Sequence, residues 1–341
     1  MRIAFLVGDL SQQQATWGGI HLAWAAQRRG HDVRFVSDSG LSFLDNGQIL
    51  ANTTRVRAGD YERPADFHRA LLSPDAPRQE DSLTGFEVVF LRHNPMRDPA
   101  LLPASPIVDF CWRLRAGGTF VVNDPEGVYR AYGRLYLSDL PPGVRARSLV
   151  SRMPEKLKAF LRELDGPAVL KPLSHGGRDK IFRIPALHSK NLNAMISAST
   201  KDGYALAQEF IPEADEGEKR LLLLHGDPIR MGHEVAIYRR LPSLPGKRRR
   251  THKPERCVFG PDEERIVELL RPRLLADGLY FVTVDIAGGK ILEINAFSPG
   301  GLHSLRELYH VDVGLLIIED LERRARLRAA YLAVQDVPAI L

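Results

Sequence analysis

The most informative hydrophobic pattern of the chain lies in residues 281–300, FVTVDIAGGKILEINAFSPG. Residues 281–286 alternate and are rich in β-branched side chains, two glycines follow at 288–289, and residues 291–294 resume the apolar pattern. Alternation on both sides of a glycine pair predicts a strand, a tight turn and a second strand. We therefore expect a β-hairpin here, ended by a Ser-Pro break.

Three oxygen-bearing side chains interrupt this apolar hairpin: Asp285, Glu293 and Asn295. Carboxylate and amide oxygens suit Mg²⁺, which proteins usually share with substrate phosphates. A plain two-residue turn would pair Asp285 with Leu292, on the face opposite Glu293, because the side-chain period of a strand is two. A metal site built from all three therefore requires a bulge or an odd loop, which glycine permits. A solvated acidic hairpin face is the alternative that the pattern leaves open.

The N-terminal part, residues 1–125, predicts an α/β unit. An apolar strand at the start is followed by helical spacing over 18–30 and by three more apolar strands, DVRFVS, EVVFLR and GTFVVN. Strands alternating with helices favour a mostly parallel sheet covered by helices. Arg92 is the last residue of EVVFLR, at the end of a strand where open α/β sheets bind ligands, although a simple polar loop explains it equally well.

Beyond residue 127 the pattern predicts shorter, more varied elements. Lys171 stands near the end of the strand GPAVLKP, before a Gly-Gly loop, which suits a cation that reaches phosphate. Lysine at a strand edge also prevents aggregation, so this signal is weak alone. The remaining predicted elements are helices at 154–165, 261–276 and 312–332, and strands at 204–212, 218–224 and 235–242.

Composition narrows the class of protein. The chain has 341 residues, roughly two to three domains' worth, with 44% hydrophobic and 26% charged residues, as in ordinary globular enzymes. No apolar run is long enough for a membrane span and the N-terminus does not resemble a signal peptide, so we expect no membrane partner. Two cysteines, Cys111 and Cys257, form no disulfide framework and favour the cytoplasm. A net charge of +5 fits anionic substrates, but without an aromatic stripe we expect no nucleic-acid partner.

Three stretches together resemble ATP-grasp ligases, most closely the bacterial glutathione synthetase family: VLKPLSHGGRDKIFRI, LAQEFIPEADEGEKRLLLLHGDPI and GLYFVTVDIAGGKILEINAFSP. The resemblance implies an α/β fold in which an N-terminal parallel-sheet (pre-ATP-grasp) domain precedes a two-lobed ATP-grasp fold of α+β type. It implies a division into an N-terminal domain (1–126), a small lobe with a glycine flap (127–212) and a large lobe with the metal hairpin (213–341).

The resemblance also implies roles for individual residues. ATP would be bound by Arg134, Lys171, Gly176, Gly177, Gln208, Glu209, Phe210, Ile211 and Glu218, with the glycines in the flap, residues 209–211 at the adenine and Glu218 at the ribose. The metal ligands would be Asp285, Glu293 and Asn295, and Arg220 and Arg240 would be catalytic. Substrate contacts would come from Arg92, Arg250, His252, Arg256 and Ser298.

The implied reaction is the ATP-dependent joining of a small-molecule carboxylate to an amine through an acylphosphate, without a protein nucleophile. Its cofactors would be ATP and two Mg²⁺ ions, which Mn²⁺ could replace. A kinase of the same fold that phosphorylates a small acceptor, and a non-catalytic nucleotide-binding regulator, are the alternatives. The sequence leaves open whether the chain forms a homo-oligomer.

The sequence departs from the family pattern in three places, two at the predicted ATP site and one at the predicted acid site. Arg134 stands where a phosphate-binding lysine is usual, and the flap SHGGRDK holds few glycines. The glycine-rich substrate loop is replaced by KRRRTHKPERCVFG, whose long cationic side chains suit a more anionic acid than the glutathione precursor. A solvated surface loop is the alternative interpretation of this basic segment.

Overall fold

The computed structural model describes residues 1–93, 106–173, 181–185, 191–241 and 254–332. Its N-terminal sheet has the strand order β4-β3-β2-β1-β5-β6. The strands are β1 (Arg2–Val7), β2 (Asp32–Phe43), β3 (Ile49–Thr54), β4 (Arg78–Ser82), β5 (Val88–Leu91) and β6 (Phe120–Val122). The helices of this part are α1 (Gly18–Arg28), α2 (Pro64–Leu71), α3 (Pro106–Ala116) and α4 (Pro125–Tyr132).

The predicted parallel sheet is confirmed over β2, β1, β5 and β6, which pair in parallel. Two strands that the sequence did not predict, β3 and β4, extend the sheet in antiparallel pairing. β2, the next strand in the chain, pairs with one edge of β1, and β5 pairs with the other edge. The ends of β1 and β5 are therefore the switch point of the sheet, where open α/β sheets bind ligands.

A small second sheet has the order β7-β10-β8-β9 and lies under two helices. Its elements are β7 (Ser148–Ser151), α5 (Pro154–Leu164), β8 (Ala168–Pro172), β9 (Phe182–Ile184), α6 (Leu192–Thr200) and β10 (Ala205–Glu209). Helix α5 begins with Pro154 in its first turn, as the sequence predicts. Leu157, Leu170 and Ala207 belong to a core formed by this lobe alone.

The third sheet carries the hairpin. Its central path runs β16-β15-β11-β17-β18. The elements are β11 (Glu218–Leu224), β12 (Asp227–Pro228), β13 (Arg230–Met231), β14 (Glu234–Val235), β15 (Ile237–Arg240), β16 (Glu255–Arg256), α7 (Pro261–Ala276), β17 (Phe281–Ala287), β18 (Lys290–Asn295), α8 (Leu302–Tyr309) and α9 (Val313–Leu332). Alternate residues of β17 enter two different cores, Val282 and Val284 on the α7 side and Phe281 on the α8–α9 side.

The N-terminal part and the third sheet share both large cores. One core combines Leu6 and Val36 with Leu223 and Val284, and the other combines Phe5 with Phe281. Helix α9 lies against α1, where Arg29 donates to Glu322 at 2.7 Å. These contacts fix the N-terminal sheet to the third sheet, whereas the small lobe keeps a core of its own.

Among the described residues, no helix combines the length and the hydrophobicity that crossing a membrane requires.

Candidate active site

The hairpin has the irregular register that a shared metal site requires. Asp285 pairs with Glu293 and Thr283 with Asn295, whereas beyond the irregularity Ile286 pairs with Ile291. Leu292 is the extra residue of a bulge, so the plain register does not form. Gly288 and Gly289 both adopt positive φ in the turn, at 53° and 66°. As a result, the side chains of Asp285, Glu293 and Asn295 lie on one face.

Two arginines hold Asp285 in its buried position. Arg220, directly opposite on β11, donates from Nε to Oδ1 and from Nη2 to Oδ2, both at 2.7 Å. Arg240 donates from Nη2 to Oδ2 of Asp285 at 2.5 Å and to Oε2 of Glu218 at 2.8 Å. Burial alone would lower the pKa of Arg220, but the paired Asp285 carboxylate raises it above its usual value. The two residues predicted to be catalytic thus surround one proposed metal ligand.

Glu218 belongs to the same electrostatic cluster. Burial raises the pKa of its carboxyl, and the negative charges of Asp285 and Glu293 raise it further, while Arg240 and Arg220 oppose them. Glu293 itself is exposed. The carboxylates of Asp285, Glu218 and Glu293 repel one another unless cations lie among them. Arg220 and Arg240 supply two such cations.

Lys171 and Arg134 approach this cluster from the small lobe and from the segment before it. Lys171 Nζ donates to Gln208 Oε1 at 3.1 Å. Burial lowers the pKa of Lys171 to about 8, and the charge of Arg134 lowers it further, against the opposing effects of Glu293 and Glu218. Burial also lowers the pKa of Arg134, whose Nε is buried without a hydrogen-bond partner among the described residues. The positive charges of Lys171 and Arg134 are only partly neutralised by the protein, and a bound phosphate chain would stabilise them.

The segment predicted to hold adenine connects the small lobe to the third sheet. The amides of Glu209 and Phe210 already donate to the carbonyls of Arg147 and Pro167, at 2.9 and 3.0 Å. An adenine ring would therefore use the other backbone groups of the segment. Ile211 is buried against the hairpin, in a small cluster with Ala287 and Leu292.

Asn295 and Ser298 are linked to each other. The Ser298 amide donates to Asn295 Oδ1 at 3.1 Å, which shapes the loop that follows β18. An amide oxygen accepts two contacts, so this hydrogen bond leaves Asn295 able to bind a cation.

The oxygen donors fit a hard divalent cation, although no group of three or more His, Cys, Asp and Glu residues in the described part of the chain forms a complete metal site by itself. Asp285, Glu293 and Asn295 share a face, and the charges of Asp285 and Glu293 raise the pKa of the Glu218 carboxyl beside them. A site with so few protein ligands is typical of Mg²⁺ that is also held by substrate phosphates. The residues present therefore fit the predicted metal.

The predicted substrate residues lie in different surroundings. Arg92 is buried, and its Nη2 donates to Pro299 O at 2.9 Å in the loop after β18. Arg256 donates from Nε and Nη2 to Leu308 O and lies over the Tyr309 ring. Both contacts are with helix α8 and stabilise the fold. The role of Arg256 as a substrate contact stays a prediction. Gly176, Gly177, Arg250 and His252 lie outside the described residues.

Two residues near the site were missed by the sequence analysis. Asn123, which ends the predicted strand GTFVVN, is buried and uses its amide to bond Phe281 N, Phe281 O and Ala296 O, each at 2.7 Å. It thereby joins β6 to both strands of the hairpin at the end opposite the turn. Arg183 lies 3.9 Å over the Phe210 ring. The sequence signal for Asn123 is weak: it is a polar residue at the end of an apolar strand.

Comparisons with known proteins decide the family. Residues 1–129 match the model of the prokaryotic glutathione synthetase N-terminal domain, and residues 133–310 match that of the prokaryotic glutathione synthetase ATP-grasp domain. The glutathione synthetase of Synechocystis sp. is 32% identical over 95% of this chain and all of the relative. That of Synechococcus elongatus is 31% identical over 94% of this chain and 98% of the relative.

The chain belongs to the prokaryotic glutathione synthetase family.

The predicted resemblance and enzyme class are thereby confirmed. The protein is an ATP-dependent ligase that joins a carboxylate to an amine and forms an amide bond, and members of its family use ATP and Mg²⁺. Its substrates are a small-molecule carboxylate and amine.

Solved structures confirm the ATP-grasp fold. D-cycloserine synthetase DcsG matches with a TM-score of 0.62 at 16% identity, over 95% of this chain and 99% of the other. Macrocyclase MdnC, bound with its precursor peptide MdnA, matches with a TM-score of 0.62 at 17% identity, over 94% and 99%. At these identities the likeness concerns the fold alone.

Proposed function

We propose that this ligase activates an anionic acid as an acylphosphate in the cleft between the small lobe and the hairpin, and that an amine then displaces the phosphate. The observation that carries the proposal is the convergence of Lys171, Arg134, Glu218 and Glu293, whose charges act on one another's pKa values although they come from different parts of the chain. Cations on one side and carboxylates on the other are what a metal-bound phosphate chain requires.

The phosphates of ATP would lie between these two sets of charges. Lys171 and Arg134 would bind phosphate oxygens, with Gln208 positioning the lysine. Asp285, Glu293 and Asn295 would hold Mg²⁺, two ions by our proposal, whose bound charge stabilises the phosphoryl oxygens during transfer. Glu218 would accept the ribose hydroxyls, and residues 209–211 would contact the adenine.

In each half of the proposed reaction one bond to the attacked atom forms and one breaks. An oxygen of the acid's carboxylate attacks the terminal phosphorus, and the bond to ADP breaks. The amine nitrogen then attacks the acyl carbon, the carbon–oxygen bond to phosphate breaks, and the amine loses a proton. Arg220 and Arg240 would stabilise negative charge on the phosphoryl and acyl oxygens, because both lie beside Asp285.

The small lobe would move as one body when it closes on the nucleotide. Its core is separate, whereas the N-terminal part and the third sheet share theirs. We propose residues 147 and 209–211 as the connection about which it turns, since Arg147 and Glu209 bond to each other where the lobe begins and ends. On this packing, residues 128–144 belong with the third sheet.

The acid and amine substrates can be identified by testing acids and amines in pairs and measuring the release of ADP. The first pair to test is γ-glutamylcysteine and glycine, the components of glutathione. A ligase releases phosphate only when acid and amine are both present, and hydroxylamine in place of the amine should yield a hydroxamate. A stable phosphorylated product formed without any amine would favour a kinase instead.

Lys171→Met is expected to weaken ATP binding by about tenfold or more, the scale of one charge-assisted hydrogen bond. Phosphate favours the charged form of a lysine whose pKa is about 8, so ATP binding near pH 9 should take up a proton. Calorimetry in two buffers of different ionisation enthalpy measures both quantities. Lys156→Met, at an exposed position on α5, is the matched control and should change neither.

The ligand-free protein supplies a second readout for Lys171. Its pKa is about 8 in the folded state and near its usual 10.5 in the unfolded chain. Between these values the unfolded chain binds more protons, so this residue makes stability rise with pH from about 8 to 10.5. Lys171→Met should lose that rise. Retained ATP binding together with a large loss of stability would mean that the lysine is purely structural.

A further inference from the structure

The small lobe is connected to the rest of the protein along one side of its sheet. The sheet order is β7-β10-β8-β9, and the chain enters the lobe at β7 and leaves it at β10. These two strands adjoin residues 147 and 209–211, about which we propose that the lobe turns. β9 lies at the opposite edge and is connected in the chain to β8 and α6 of the same lobe, so noncovalent contacts alone hold this edge to the rest of the protein.

Arg183 provides such a contact. It is the middle residue of β9, and its Nη1 donates to Asp215 Oδ1 at 2.9 Å while its Nη2 lies 2.8 Å from Oδ2. Asp215 ends a short 3₁₀ helix, Pro212–Asp215, whose Ala214 packs against the cluster that contains Ala287 of the hairpin. The two parallel contacts of this ion pair therefore join the outer edge of the small lobe to the third sheet.

The same guanidinium covers Phe210, in the segment predicted to hold adenine. Its Cζ lies 3.9 Å from the centroid of the Phe210 ring, which is half-buried. The face of an aromatic ring carries partial negative charge and attracts a cation placed over it. Asp215 thus fixes the position of Arg183, and Arg183 in turn fixes the position of the ring.

The sheet register places Arg183 on the face of the lobe that carries Lys171. Arg183 pairs with Val169, and Val169 pairs with Gln208, so these three residues share a face. Lys171 is two residues from Val169 and lies on the same face. The opposite face contains Leu170 and belongs to the core of the lobe. Arg183 therefore faces the proposed nucleotide cleft.

The ion pair is better suited to fix an angle than to stabilise the fold. The side chains of Arg183 and Asp215 are 51% and 55% exposed, and water screens a pair that is so exposed. A forked contact is nevertheless specific in geometry, because both hydrogen bonds form only at one distance and orientation of the two groups. Its main effect is accordingly on how the small lobe lies relative to the third sheet.

We infer that Arg183 is a positioning residue for ATP: Asp215 holds it against Phe210, and this contact keeps the small lobe at the angle at which the lobe binds the nucleotide. The inference rests on the proposed function, which places adenine at residues 209–211. A lobe that is already held at this angle loses less conformational freedom when ATP binds, so the ion pair strengthens binding. Arg183 needs no contact with the reacting atoms for this effect.

The sign of one substitution separates this role from a direct contact with ATP. Asp215→Asn removes a negative charge near the nucleotide cleft, so electrostatics alone would tighten the binding of anionic ATP. If the carboxylate positions Arg183, the same variant should instead weaken binding by about two- to fivefold, the range that exposed ion pairs span. Calorimetric titration with ATP and Mg²⁺ measures the dissociation constant.

Further variants complete a double-mutant cycle. Arg183→Met should weaken ATP binding to a similar extent, and combining it with Asp215→Asn should cause no further loss, because each variant lacks the same pair. Arg183→Lys should restore only part of the affinity, since lysine keeps the charge but not the planar fork. Glu155→Gln, which breaks an exposed ion pair with Lys158 inside α5, is the matched control and should leave the dissociation constant unchanged.

Unchanged or tighter ATP binding in Asp215→Asn would overturn the inference, and so would losses that add in the double variant. The titration needs neither acid nor amine, so its outcome does not depend on the acylphosphate route. Normal binding in Asp215→Asn together with weakened binding in Lys171→Met would reject the role of the ion pair and leave the proposed function intact. In turnover assays, Arg183→Met should raise the KM for ATP by the same factor as the dissociation constant and leave the KM for the acid unchanged.

Discussion

Replacing Glu293 by glutamine is expected to lower kcat by about a hundredfold or more, which corresponds to about 2.7 kcal/mol of barrier. The carboxylate is exposed on the hairpin and shares a face with Asp285. The substitution keeps the size of the side chain and removes a charge that the proposed Mg²⁺ site requires. Steady-state turnover with saturating ATP and acid measures the effect.

The fold of the Glu293→Gln variant should be unaffected. No described residue forms a salt bridge with Glu293, so its thermal midpoint should stay close to that of the wild type. Glu234→Gln is the matched control, since Glu234 is also an exposed glutamate on a strand of the large lobe. Near-normal turnover in Glu293→Gln would remove this residue from the metal site.

Replacing Asp285 by asparagine is expected to destabilise the protein by about 3 kcal/mol or more, in addition to abolishing activity, because breaking a buried ion pair leaves its partner uncompensated. Asp285 accepts three hydrogen bonds from Arg220 and Arg240, and Arg220 is mostly buried. Urea unfolding at pH 7 measures the loss. The asparagine side chain has the same shape as aspartate, but its oxygen is neutral. Its NH₂ group would face the N–H donors of Arg220 and Arg240.

A double variant separates the two effects. Adding Arg220→Met to Asp285→Asn removes the charge that was left without a partner, so part of the stability should return while activity does not. Recovered activity in the double variant would show that neither residue takes part in the chemistry. Unchanged stability in the single variant would show that the three-residue cluster contributes nothing to the fold.

The sequence predicted the hairpin well because its pattern is local. Alternation and the glycine pair defined β17 and β18, and the chemistry of the three oxygens required the bulge that the register contains at Leu292. The antiparallel edge strand β4 was missed because its sequence, RQEDS, is mostly polar and has no apolar pattern.

The sequence could not predict the parts of the site that depend on tertiary packing. Nothing local indicates that Arg92 meets the first turn of α1, because the two are far apart in the chain and Pro299 completes the contact. The same holds for Asn123, whose partners are backbone groups of the hairpin. The basic segment around Arg250 stays a prediction, since it lies outside the described residues.

The most direct test of the ligase mechanism follows oxygen from the acid. With the acid labelled with ¹⁸O in its reacting carboxylate, each amide bond formed should transfer one ¹⁸O atom to the phosphate released, because that oxygen bridges carbon and phosphorus in the acylphosphate. Mass spectrometry of the phosphate measures the transfer. Amide formation with unlabelled phosphate would contradict activation of the carboxylate by ATP in this cleft.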